Sequence, residues 1–101
     1  MQYRLSETAD GPVIFLTGRF THADRDNFAK ALKELGNHTS ARLTFDLAGL
    51  DFIDSAALGM ILLVRQQAVQ SNQDIALRGA KGQVRTLIGL TRFGEMFLLQ
   101  D

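Results

Sequence analysis

Residues 43–64 read LTFDLAGLDFIDSAALGMILLV. The first part alternates, with Leu43, Phe45 and Leu47 on one side, which is the period of a strand. After Asp54 and Ser55 that period is gone, and nine residues from Ala56 to Val64 carry no polar side chain. A segment from Ser55 to Ser71 is too long for an ordinary strand and reads as a helix. "AGLDFID" links the two, so the stretch predicts a strand, a turn and a buried helix in that order, the makings of a crossover unit.

At about 100° per residue, Ala57, Ile61, Val64 and Ala68 gather on one side of this helix, flanked by Leu58, Leu62 and Val69. That is the expected core face. The opposite side carries Ala56, Gly59, Met60 and Leu63, followed by Gln66, Gln67 and Gln70. A helix packed on one side needs only one apolar stripe, so the second set requires a cover of its own. Another helix or loop of the same domain would serve. So would another protein, because Met adapts its shape and Ala and Gly permit close approach. Asp54 or Ser55 could each cap the helix. The free N–H groups and positive dipole end there also favour an anion, so the helix would tolerate a phosphate on Ser55.

Toward the N-terminus, "YRL" and "VIFLTGRF" flank Asp10-Gly11-Pro12 and predict a hairpin with its turn there, Val13–Leu16 being buried on both faces. From Thr21 the period becomes helical through Phe28, Ala31, Leu32 and Leu35, with Thr21 and Asp24 in capping-box spacing and Gly36 as the stop. Beyond the central helix, "DIALRG" predicts a strand with Ile75 and Leu77 inward. Gly79 to Gly82 is a turn, Val84, Leu87, Ile88 and Thr91 mark a third helix, and "MFLLQ" a last short strand. The order β-β-α-β-α-β-α-β implies one α/β domain over residues 1–101, a small mixed sheet of four to five strands with helices packed against it.

The length of 101 residues and 46% apolar content suit a single core. Eleven basic residues balance eleven acidic ones without a basic run, which argues against nucleic acid as a partner. With no cysteine, disulfides, thiolate chemistry and most zinc sites are excluded. The N-terminus lacks the pattern of a signal peptide, and no apolar run approaches the roughly 20 residues that span a bilayer. A cytoplasmic protein without cofactor or metal is expected.

The 43–64 stretch resembles the signature of the anti-sigma factor antagonists, the STAS-domain family: an Asp-Ser pair after an apolar strand and turn, then small residues and Leu-Gly at the head of a helix. Here these are Asp54, Ser55, Ala56, Ala57, Leu58 and Gly59. "VIFLTGRF" is similar to the family's second strand, and "VRTLIGLTRFGEMF" to its third helix and last strand. The resemblance implies a bacterial partner switch in transcription control. The unphosphorylated antagonist binds an anti-sigma factor that is also a serine kinase of the GHKL type, phosphorylation of Ser55 breaks that complex, and a PP2C-type phosphatase resets it. The partner-binding residues implied are Asp54, Ser55, Ala56, Gly59, Met60 and Leu63. Three departures accompany the likeness. Thr21 and His22 follow Phe20 where many members carry an acidic residue, Ala56 replaces a second hydroxyl, and the chain stops at Asp101 soon after its last strand. The last leaves a sheet edge on which a weak homodimer could form.

Two other readings compete. An enzyme would recruit Ser55 with His22 or His38 as base and Asp46 or Asp54 as orienter, but the Gly-x-Ser-x-Gly elbow is absent. The stronger rival keeps the fold: a STAS scaffold that is never phosphorylated, such as the accessory subunit of a lipid-transport ABC system.

Overall fold

The computed structural model of the chain describes residues 1–36 and 41–100. β1 (Gln2–Thr8) and β2 (Gly11–Phe20) form a hairpin, and a 3-10 turn at His22–Asp24 leads into α1 (Arg25–Leu35). β3 (Arg42–Ile53), α2 (Ser55–Gln70), β4 (Asp74–Arg78) and α3 (Gly82–Leu90) follow. A second 3-10 turn at Arg92–Glu95 precedes β5 (Leu98–Gln100).

The five strands make one sheet in the order β1-β2-β3-β4-β5, with β1 antiparallel to β2 and the other pairs parallel. Each parallel connection steps one strand further in the same direction. Right-handed crossovers therefore put all three helices on one face. Ile14, Phe45 and Leu77, in register across the central strands, share one buried cluster with Phe28 of α1, Ile61 of α2 and Val84 of α3. The other face carries no helix. Val13 and Ala76 are nonetheless buried there, outside that cluster. Beside them Phe15 lies between the guanidinium groups of Arg4, at 4.3 Å, and Arg78, at 5.7 Å. Arg78 Nε in turn donates to Asp46 Oδ2 at 2.9 Å, so long side chains cover part of this face in place of a second helical layer.

Several expectations change in detail. Asp10-Gly11-Pro12 is not the turn: β2 already begins at Gly11, and Ala9 with Asp10 makes the reversal. Pro12 is tolerated because pairing with β3 starts only at Val13. "AGLDFI" is not a linker but the second half of β3. The register between β2 and β3 shifts between Phe15 and Thr17 and again between Gly18 and Arg19, so the buried positions move from Phe45 and Leu47 to Leu50 and Ile53 and the period of two is lost. Gly49 permits the approach, since a Cβ there would stand 2.6 Å from Thr17 Cγ2.

The Thr21–Asp24 capping box exists, but it closes the 3-10 turn ahead of α1. On α2, Ala57, Leu58, Ile61 and Ala68 are buried, whereas Val64 is only partly so and Val69 is 53% exposed. Val69 faces the short β5 end of the sheet, where Met96 and Leu98 are themselves exposed and leave it uncovered. The last strand starts at Leu98 rather than Met96, with Phe97 tucked into the core.

Candidate functional site at the head of α2

The chain leaves β3 at Ile53 and enters α2 at Ser55, so Asp54 alone makes the turn. Its backbone is extended (φ −104°, ψ 173°), the conformation of an N-cap, and its Oδ1 accepts the N–H of Ala57 at 2.8 Å. Its Oδ2 accepts the N–H of His22 at 3.0 Å, with the His22 ring Nδ1 at 3.5 Å. The Asp54 N–H donates to Phe20 O at 3.2 Å. One residue thus ties the end of β2 and the 3-10 turn to the start of α2. Partial burial, the largest single influence on this carboxyl, works to raise its pKa. The N–H groups of Ala57 and His22 and the His22 ring outweigh it and hold the group below the ordinary carboxylate value.

Gln83, at the start of α3, clamps the preceding residue from the other side. Its Oε1 accepts the Ile53 N–H at 2.9 Å and its Nε2 donates to Ile53 O at 2.9 Å. Nothing in the sequence signals this role, because a lone glutamine on a helix resembles any solvated polar residue. Asp24 steadies the same region, accepting the Thr21 N–H at 2.9 Å and the Met1 amine at 3.0 Å. Its carboxyl also lies below the ordinary value, because those two partners outweigh the opposing effect of burial.

With Asp54 as the cap, Ser55 is the first residue of α2, exposed, its hydroxyl making no hydrogen bond among the described residues. Beside it opens a groove of about 480 Å³ between α1 and α2. Ala56, Gly59, Met60 and Leu63 all line it, joined by Val64 and by Phe28, Ala29 and Leu32 of α1. Leu63 is 61% exposed, whereas Met60 also packs against the core. α1 therefore walls the groove along one side and leaves it open to solvent. The wall residues Phe28 and Leu32 were legible as a helical stripe, but that stripe gives no sign of bordering anything except the core. Asp54, named with the partner-binding residues, stands beneath the others with both oxygens engaged internally.

Of the groups an enzyme would need, His22 and Asp54 meet next to Ser55, but no hydrogen bond joins the Ser55 hydroxyl to either of them among the described residues. Asp46 is bonded to Arg78 and the Ala48 N–H, His22 sits on Asp54, and His38 lies outside the described residues. Among the described residues no set of three His, Cys, Asp or Glu could hold a metal ion, and no helix is long and apolar enough to cross a membrane.

A one-sided five-stranded sheet with an Asp-Ser pair at the head of α2 defines a small α/β domain of one mixed sheet and three helices. The chain belongs to the STAS-domain family: the family model described as "Mlab, STAS domain" matches residues 3–100. It is 33% identical over 92 residues to a STAS-domain containing protein of Pseudomonas aeruginosa (strain UCBPP-PA14), covering 89% of this chain and 90% of that one. Its fold is similar to an anti-sigma factor antagonist from Mycobacterium paratuberculosis (TM-score 0.85, 15% identity, 98% of this chain and 84% of the other). It is also similar to the antagonist SpoIIAA in its unphosphorylated form (TM-score 0.70, 17% identity, 99% and 88%). At such identities the likeness is one of fold.

Proposed function

We propose that this protein is an anti-sigma factor antagonist working as a phosphorylation-controlled partner switch. The unphosphorylated chain docks an anti-sigma factor, itself a serine kinase of the GHKL type, over the α1/α2 groove. Ser55 accepts the phosphate that ends the complex, and a PP2C-type phosphatase restores it. One observation supports this reading: Asp54 does the capping, which leaves the Ser55 hydroxyl exposed next to Ala56, a residue that lines the apolar groove. A phosphate brings about −1.5 to −2 charge. At the head of α2 the helix accommodates that charge, whereas an apolar partner face covering it would have to strip its water. Incubation with the cognate kinase and ATP should add a single phosphate that Ser55→Ala abolishes, read by intact mass and fragment mapping. Modification elsewhere with Ser55 untouched would refute the assignment.

The match to the family model described as Mlab favours a second reading, in which the same face holds its partner permanently, as an accessory subunit of a lipid-transport ABC system. Under that reading Ser55→Ala and wild type co-purify equally with the partner and no phosphate is found on either.

A further inference from the structure

The α1/α2 groove carries one formal charge. Arg25, the first residue of α1, stands at its mouth opposite Ala56, and every other lining residue is apolar or glycine except Gln67 at the far end. Arg25 is exposed and makes no ion pair among the described residues, whereas Arg78 is held by Asp46. α1 and α2 run parallel, because each returns the chain between neighbouring parallel strands. The lining spans residues 25–32 of one and 56–67 of the other. At about 1.5 Å per residue these are roughly 11 and 17 Å, the lengths of about two and three helical turns.

Resting on the docking reading above, we propose that the occupant of this groove is an amphipathic α-helix of the partner, with its apolar stripe between α1 and α2 and an Asp or Glu set against Arg25. A loop or strand entering an apolar groove would bring backbone N–H and C=O groups that two helical walls cannot satisfy. A helix satisfies its own and packs its ridges between theirs. The charge follows from the same desolvation argument. An apolar partner covering Arg25 would strip water from a cation and give nothing back, whereas a carboxylate replaces that water with a charge-assisted hydrogen bond. Arg25 thereby sets both the register of the bound helix and the preference for acidic partners.

A phage-displayed library of single-helix peptides, selected against the full chain, tests this directly. Selected peptides should share apolar residues at i, i+3 or i+4, and i+7, with an Asp or Glu near one end of the stripe. In fluorescence anisotropy Arg25→Glu should weaken the best peptide roughly tenfold, and the same peptide with its acidic residue changed to Lys should recover affinity on that variant. Peptides that bind through Leu63 but ignore the charge at position 25, or a library that yields no binder, would overturn the proposal while leaving the docking face itself to the phosphorylation assay. Binding undiminished by Leu63→Asp would place the peptides elsewhere and count against the docking face as well. A dimer of the chain alone, dissociated by Leu63→Asp in sedimentation velocity, would assign the groove to a second copy and also overturn the proposal.

Discussion

Asp54 accepts two backbone N–H groups, one from the first turn of α2 and one from His22, 32 residues before Asp54 in sequence. Alanine there should cost about 1 kcal/mol near neutral pH, the usual loss for a helix cap. The sign of the pH dependence follows from the lowered pKa. The folded carboxyl binds its proton more weakly than the unfolded one, whose ordinary value is about 3.9. The stabilisation is therefore complete above that value and is lost as the pH falls through the lower folded one. Urea unfolding should show the wild-type advantage over Asp54→Ala shrinking below about pH 4; an unchanged gap at pH 2 would mean the carboxylate form is not what stabilises the turn. Ser55, one position on, should behave oppositely. Ser55→Asp adds a charge that the helix end favours by about 0.3 to 1 kcal/mol, so the fold should hold. Its affinity for the cognate partner should fall roughly 30-fold to 1000-fold in calorimetric titration, since about 2 to 4 kcal/mol is the expected cost of burying that charge unpaired.

The two-sided character of α2 predicts a contrast between residues two apart. Ile61 is fully buried in the cluster and Leu63 is 61% exposed over the groove. Ile61→Asp should unfold the protein or lower its melting temperature drastically, because an unpaired charge would enter the core. Leu63→Asp should melt within a few degrees of wild type and lose the partner; equal destabilisation of both would show that α2 is simply a buried helix. The two apolar faces were legible from the sequence because a helix has one period, and the outward set Ala56, Gly59, Met60 and Leu63 was read from it. Val69 was misplaced on the core face, since periodicity tells which side a residue lies on but not where the sheet beneath ends. Gln83 and Arg25 were missed for a related reason. Each meets a neighbour at least 30 residues away, Ile53 for Gln83 and the groove wall at Ala56 for Arg25, and no local pattern encodes such a meeting.

At the scale of the whole molecule, the alternation of periods made the element order readable, and the one-sided layering follows from that order once every crossover steps the same way. The length of β3 was not readable. Its two register shifts against β2 erase the alternation over Ala48–Ile53, the segment that carries the chain up to Asp54. This layout also grades stability across the sheet. β3 is paired on both sides and packed against α3, whereas β5 holds to β4 through three residue pairs at an open edge. Native-state hydrogen exchange should therefore find the amides of β3 around Phe45 opening only with global unfolding, and those of β5 opening at a lower free energy. A switch that works by surface charge rather than by rearrangement adds a second requirement. Phosphorylation of Ser55 should alter protection in the first turn of α2, where the Ala57 N–H is held by Asp54, and leave the protection of β3 in place. If the modified protein instead loses protection throughout the sheet, the phosphate acts by unfolding the domain, and the groove is closed to its partner by a different physical route from the one argued here.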